Sequence, residues 1–412
     1  MHWLYNLGVR LYTAGIALAA VWGSAKAKQW MAGRKHWQTL YPKTFDPSSG
    51  KVLWMHVSSL GEFEQGRPVL EAFRLQHPDW RIVLTFFSPS GYEVRKHYPG
   101  ADFIAYLPAD TPANARYFLQ WLNPQLAIFV KYDLWANYLF ALKQRGIPTL
   151  LISALFREKQ VFFKWYGGFW RKILQCFTHV FLQHGSVPPP IDPSCITLAG
   201  DTRIDRVLQL ARDAPLNPVV QAFSSLHPTL VCGSTWPADE AMLFEVLKKP
   251  EWAHLKVIVA PHEVSEAHVL DILDRIGEPE QTLRYAQADD NTVSGARWLI
   301  IDNIGLLNTL YRYGWAAYIG GGFGKGIHNT LEPAAWGLPV LFGPKYHKFE
   351  EAKQMVALGG AFSVSDAQAF EQVLKQLNDP ISHRQASEAV LGYLNSQKGA
   401  TDIILQYIRS LY

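Results

Sequence analysis

Short apolar runs recur along most of this chain, separated by longer stretches in which apolar and polar residues share helical spacing. Residues 52–57, 82–87, 126–130, 149–152 and 180–183 form one series of such runs. A second series comprises residues 230–232, 257–260, 298–301, 316–319 and 340–342. Consecutive apolar positions predict strands buried on both faces, and the intervening stretches predict the crossover helices of parallel sheets. Two such series in succession predict an α/β protein of two doubly wound, Rossmann-like domains facing a central cleft. The polar stretch 212–228 between them marks the division. It gives an N-terminal segment 1–35, a first domain 36–212 and a second domain 213–412, whose last helix is free to pack back on the first. The stiff loop of Pro188, Pro189, Pro190 and Pro193 falls inside the first domain.

Composition adjusts this picture at three points. A chain of 412 residues, 49% hydrophobic and 18% charged, exceeds what one core usually organises, in agreement with two domains. A net charge of +4 gives no reason to expect a nucleic-acid partner. Cys176, Cys195 and Cys232 are odd in number and lack metal-site spacing, so buried thiols in a reducing compartment are expected.

The N-terminus differs from the rest. Residues 11–25 carry no charge and are flanked by Arg10 and by Lys26, Lys28, Arg34 and Lys35. A full helical span needs about 20 residues, so this stretch is expected to lie in or dip into a membrane surface. The basic cluster and Trp3, Trp22, Trp30 and Trp37 would hold it there, with an ordinary core helix as the alternative.

Candidate chemistry gathers after the predicted strands, where open parallel sheets bind ligands. Ser58-Ser59-Leu60-Gly61-Glu62 follows the first strand, and a partly desolvated carboxylate there suits general-base work. The same residue could instead stabilise the dipole of the next helix. Ser88-Pro89-Ser90-Gly91 follows the second strand and Lys131-Tyr132-Asp133 the third. Late in the chain, a glycine-rich stretch (residues 320–326) leads into Ile327-His328-Asn329-Thr330-Leu331-Glu332. Glycines permit close backbone approach, and a helix starting near Asn329 would aim free N–H groups at a phosphate. Glu332 could then accept hydrogen bonds from ribose hydroxyls. Neither a phosphate-binding Gly-Lys-Ser/Thr ending nor a dinucleotide Gly-x-Gly-x-x-Gly after the first strand is present. No Asp-x-Asp pair or His/Asp cluster has metal-ligand spacing, so neither metal nor cofactor is called for.

The motifs HVSSLGE (56–62), SPSG (88–91), YLPAD (106–110), DLWAN (133–137), GGGFGKGIHNTLEPAA (320–335) and FGP (342–344) keep a fixed order. In that order they resemble the bacterial 3-deoxy-D-manno-octulosonic acid (Kdo) transferases, which are GT-B glycosyltransferases. The resemblance implies transfer of Kdo from CMP-Kdo to a lipid A precursor at the cytoplasmic face of the inner membrane. It implies that Glu62 is the general base and that Lys131 and Arg203 stabilise the transition state. It places CMP against Pro261, His262, Ile304, Gly305, Leu306, Asn329, Thr330, Leu331 and Glu332. The chain departs from the family pattern at Lys131, where Glu is frequent, at His262-Glu263, where Arg-His is frequent, and at Leu306, where Glu is frequent. A GT-B enzyme using another nucleotide sugar, or an inactive membrane-surface protein of this fold, are the competing readings.

Overall fold

The computed structural model describes residues 1–225, 227–289 and 292–412. Two seven-stranded sheets, parallel throughout, organise the chain. The first contains β1 (Val52–Val57), β2 (Arg81–Phe86), β3 (Phe103–Tyr106), β4 (Leu126–Val130), β5 (Thr149–Ala154), β6 (His179–Leu182) and β7 (Ile196–Leu198), in the order β3-β2-β1-β4-β5-β6-β7. The second contains β8 (Thr229–Thr235), β9 (Lys256–Pro261), β10 (Thr282–Arg284), β11 (Trp298–Ile300), β12 (Ala316–Ile319), β13 (Val340–Phe342) and β14 (Ala361–Ser363), in the order β10-β11-β9-β8-β12-β13-β14. The chain therefore reverses its direction of travel between β1 and β4, and again between β8 and β12. At such switch points neighbouring crossovers diverge and leave a crevice at the carboxyl ends of the strands.

Ten strands coincide with the predicted apolar runs to within a few residues. The four that the sequence pattern missed are β3, β7, β10 and β14, the two edges of each sheet. An edge strand has one neighbour and here is partly exposed, so it needs no continuous apolar run.

Alternation along β1 shows how the first sheet is covered. Val52 and Trp54 point into one core with Phe118, Phe129 and Tyr138, from the helices Pro112–Leu122 and Ala136–Gln144 and from β4. Leu53, Met55 and Val57 point into the other, with Phe63, Val69 and Phe73 of the helix Leu60–Gln76. That second core is completed by Ile404, Leu405 and Ile408 of the last helix, Ala400–Arg409.

By contacts the chain divides into Met1–Asp205 with Lys398–Tyr412, and Arg206–Gln397. The division lies within the helix Thr202–Asp213, a few residues before the predicted boundary; the stretch 212–228 contains a further helix, Pro218–Ser224, and its Leu226 lies outside the described residues. The Asp205 carboxylate explains why the start of this helix groups with the first unit. It accepts hydrogen bonds from the backbone N–H groups of Gly399 (2.6 Å) and Thr401 (2.7 Å), where the last helix begins.

The N-terminal helix is longer than the uncharged stretch that predicted it, running His2–Val21, and its length and composition suffice to cross a membrane. No residue in it is buried, yet it is tied to the first unit. Tyr5 donates to Asp110 (2.5 Å), Asn137 donates to Asn6 (2.9 Å), His2 pairs with Asn137 (2.9 Å), and Tyr12 stacks on Phe87. Trp3 and Trp22 face outward, 67% and 84% exposed, as a membrane-facing role requires. Trp30 and Trp37 do not: both are buried. Arg34 is also turned inward, donating to the carbonyls of Leu107 (2.7 Å) and Phe87 (2.8 Å), with its guanidinium 3.9 Å from the centre of the Trp30 ring. Delocalised charge and five donors let Arg satisfy carbonyls at a packed seam. Cys176 and Cys232 are buried thiols, whereas Cys195 is half-exposed on the loop before β7.

Because Ile404 fills a packed core beneath the first sheet, Ile404→Ala should cost about 2–5 kcal/mol. Urea unfolding monitored by circular dichroism should show the first unit's midpoint falling; an unchanged midpoint would mean the last helix contributes nothing to that core.

Candidate functional site

At the first switch point, β1 ends at Val57 and the backbone extends through Ser59 before the helix Leu60–Gln76 begins. Glu62 falls in the first turn of that helix, half-buried, and its carboxylate accepts a hydrogen bond from the Ser59 hydroxyl. The SPSG turn packs directly beside it. Ser88 N–H donates to Ser58 O (2.8 Å), and a Cβ on Gly91 would lie 3.0 Å from the backbone nitrogen of Leu60, so glycine is required for this approach.

Across the switch point, β4 ends in a tight reversal. Lys131 adopts a left-handed backbone (φ 64°), uncommon for a residue with a side chain. Its Nζ stands 5.8 Å from the centre of the Tyr132 ring, and its N–H donates to Ile152 O (2.9 Å). The reversal brings Asp133 back beneath the strand ends, where it is buried and accepts from the Ser58 hydroxyl. Its second oxygen has no hydrogen-bond partner among the described residues and lies 4.0 Å from His56 Nε2. Burial, reinforced by the nearby Glu62 charge, pushes the Asp133 carboxyl well above the ordinary carboxylate range. His56 is pushed down to about 3, first by burial and then by Arg34. Trp135 donates to His56 Nε2 (2.9 Å), which places the ring proton on Nδ1, facing Thr85 (2.9 Å). An oriented, hydrogen-bonded layer of His56, Trp135 and Asp133 thus lies at the ends of β1 and β4. A cavity of about 530 Å³ opens above it, lined by Ser58, Asp133, Trp135, Tyr132 and Tyr5.

Arg203 sits at the start of the helix after β7. Asp201 holds it, accepting from Nε (3.0 Å) and Nη2 (2.6 Å). The adjacent Thr202 hydroxyl donates to Gln65 O, one turn after Glu62, and meets Ser153 at the end of β5 (3.0 Å). The helix starts carrying Arg203 and Glu62 are therefore neighbours within one unit.

The second switch point holds the glycine-rich turn. A Cβ on Gly320 would come within 2.2 Å of Ser234 O at the end of β8, and Gly321 has a left-handed φ of 90°. Buried Asp239 fixes this turn by accepting from Gly321 N–H (2.9 Å), Tyr318 OH (2.8 Å) and Trp236 N–H (3.0 Å). The expected helix from Asn329 is only a single turn, Leu331–Ala334. Asn329, one residue before its N-cap Thr330, accepts from Leu331 N–H (3.1 Å) and donates to Glu332 (2.9 Å). A single turn carries little macrodipole, so anion affinity here would rest on local N–H groups. Thr330 and Leu331 are buried, with the Thr330 hydroxyl unpartnered among the described residues.

Pro261 closes β9, and the next ring, His262, stacks between Trp236 (4.7 Å) and His328 (4.4 Å). Trp236 also donates to His328 Nε2 (3.1 Å), while burial and the neighbouring His262 lower His328 to about 4. The result is a flat aromatic wall beside the glycine turn. Ile304, Gly305 and Leu306 follow β11. Gly305 has φ 94°, and the Ile304 side chain is 90% exposed. Trp336 donates to Asn308 O (3.2 Å), linking the segment after Leu306 to the one after Glu332.

Sequence reasoning placed Glu62, Lys131 and the glycine turn at strand ends, where they stand. It gave no role to His56, Asp133, Trp135 or Asp239. His56 and Asp133 stood in quoted motifs, and Asp239 is a capping-box acid three residues after Trp236.

Two doubly wound parallel sheets, each with polar residues gathered at its switch point, define the GT-B class of fold. Solved structures agree: UDP-GlcNAc 2-epimerase from Neisseria meningitidis aligns with TM-score 0.58 at 14% identity, covering 87% of this chain and 100% of that one. MurG from Acinetobacter baumannii aligns with TM-score 0.55 at 13% identity, covering 88% and 99%. At such identities these likenesses concern the fold alone. A family model described as 3-deoxy-D-manno-octulosonic-acid transferase (kdotransferase) matches residues 33–187. The 3-deoxy-D-manno-octulosonic acid transferase of Bordetella pertussis is 26% identical over 426 residues, 97% of this chain and 96% of that protein. The one from Aquifex aeolicus is 26% identical over 326 residues, 78% and 84%. Over most of its length the chain is thus similar to 3-deoxy-D-manno-octulosonic acid transferases.

Burial of Asp110, the carboxyl that accepts from Tyr5 of the N-terminal helix, should make stability depend on pH. Burial raises Asp110 from 3.8 to about 6, against hydrogen bonds from Tyr5, Asn137 and Tyr138 that lower it. A raised folded value means that the folded state binds the extra proton, so this contribution to stability declines as pH rises from about 4 to about 6. The urea midpoint of the wild type, relative to Asp110→Asn, should therefore be most favourable near pH 4 and less so at pH 6. A relative midpoint that rises over that range contradicts the assignment.

Proposed function

We propose that this protein transfers Kdo from CMP-Kdo to a hydroxyl of a lipid A precursor, at the cytoplasmic face of a bacterial inner membrane, with inversion at the anomeric carbon. The observation that carries the reading is Glu62, oriented by Ser59 in the first turn of the helix that follows β1, in the unit to which the apolar N-terminal helix is tied. Glu62 accepts the proton of the acceptor hydroxyl as its oxygen bonds to the anomeric carbon. The bond from that carbon to the CMP phosphate oxygen breaks, and the electron pair leaves with CMP. Lys131 and Arg203 supply positive charge for the Kdo carboxylate and the departing phosphate, Arg203 with its fork already oriented by Asp201.

CMP is held at the second switch point. Pro261 and His262 offer the aromatic wall, Ile304, Gly305 and Leu306 an exposed turn, and Asn329, Thr330, Leu331 and Glu332 the capped turn after the glycines. His262 supplies a ring face where relatives often carry Arg. A nucleoside monophosphate leaving group carries less charge than a diphosphate, so backbone N–H groups and a few cations suffice to stabilise it.

Incubation of the purified protein with CMP-Kdo and tetraacyl disaccharide bisphosphate should add the mass of Kdo to the acceptor. General-base catalysis is worth about 10²–10⁴ in rate, so Glu62→Gln should lose that factor in kcat while CMP binding persists. Near-normal turnover of the variant would remove Glu62 from the reaction.

A further inference from the structure

Under the N-terminal helix lies a second cavity, of about 340 Å³. Gly8, Val9 and Tyr12 form its roof and Trp30 one wall. It shares the lining residues Tyr5, Phe87 and Trp135 with the larger cavity that reaches Ser58 and Asp133, so the two lie side by side. We propose that this slot receives an acyl chain of the acceptor, making the N-terminal helix a wall of the substrate site as well as a membrane contact. The inference rests on the lipid acceptor named above.

Three observations point to hydrocarbon. First, most polar groups on the slot's border already have partners: Tyr5 OH donates to Asp110 (2.5 Å), Thr13 Oγ1 to Val9 O (2.8 Å) and Trp135 Nε1 to His56 (2.9 Å), with the Trp30 indole N–H the exception among the described residues. A sugar or phosphate would leave its own polar groups unmatched there, at a desolvation cost that an alkyl chain does not incur. Second, a Cβ on Gly8 would meet no atom within 4 Å. A glycine in a helix interior weakens the helix, and here it stands where the helix roofs open space. Third, the opposite face of the helix exposes Trp3, Leu4, Leu7, Leu11 and Leu18, so a chain leaving a bilayer would meet apolar surface on its way to the slot. The slot's neighbouring cavity is lined by Ser58 and Asp133 at the first switch point, which suits an acceptor whose reacting hydroxyl and acyl chains belong to one molecule.

Gly8→Trp fills the slot without a forced backbone, since the helical position has room. Two acceptors in detergent separate the effects: tetraacyl disaccharide bisphosphate and its O-deacylated counterpart, each with CMP-Kdo. The ratio of their kcat/KM values, acylated over deacylated, should fall roughly tenfold in Gly8→Trp, the equivalent of about two buried methylenes. An unchanged ratio overturns the proposal. Absence of transfer by the wild type to either acceptor would instead count against the function proposed above, and photolabelling then tests the slot alone. A diazirine-bearing palmitic acid should label peptides containing Phe87 or Trp135, the label should vanish in Gly8→Trp, and tetraacyl acceptor should suppress it more than phospholipid does. Label confined to the exposed helix face, or equal suppression by phospholipid, overturns the assignment.

Discussion

Crossover helices can cover the faces of a parallel sheet, but not the point where successive connections leave in opposite directions. In each unit of this chain that point falls at the centre of the sheet, between β1 and β4 and between β8 and β12. There the carboxyl ends of two fully buried strands meet solvent, and the residues next in sequence must either cap the strands or serve a ligand. Ser58 through Glu62 and Lys131 through Asp133 occupy the first crevice, and the glycine turn the second. The rest of each unit, with its apolar strands and covering helices, fixes these loops in place.

The first crevice has a floor of unusual chemistry. His56 and Asp133 are ionisable and deeply buried, and burial disfavours the charged form of each, so the layer at the ends of β1 and β4 consists of oriented hydrogen-bonding groups. Side chains locked by Trp135, Thr85 and Ser58 do not reorganise when a substrate arrives, which is the property a preorganised site requires. The second crevice is oriented in the same way. Asp239 fastens three donors around the glycine turn, and the stacked rings of Trp236, His262 and His328 give a flat wall.

What could be read from the sequence follows from what each residue must satisfy. Central strands such as β1 and β4 are buried on both faces and appear as unbroken apolar runs; the edge strands β3, β7, β10 and β14 need only half that burial and escape notice. Glu62 and the glycines were legible because turn chemistry at a strand end is local. Asp133 was harder to read, because its burial depends on a left-handed turn at Lys131 and on Ser58, 75 positions earlier. Arg34, Trp30 and Trp37 were misjudged for a similar reason. A basic and aromatic cluster after an apolar helix suits a membrane surface, but here carbonyls of Phe87 and Leu107 claim the guanidinium, and both indoles pack inward. The one-turn helix after Asn329 shows the same limit, since the chain turns back at Gly337 (φ 73°) to enter β13.

The central claim is that the nucleotide docks at the switch point of the second sheet. Hydrogen–deuterium exchange of the full-length protein with and without saturating CMP tests it directly. Protection should appear in peptides spanning residues 261–262, 304–306 and 320–332, with the peptide carrying Glu62 left unchanged. Protection centred elsewhere in the second unit, with the glycine turn exchanging as freely as before, would contradict the account.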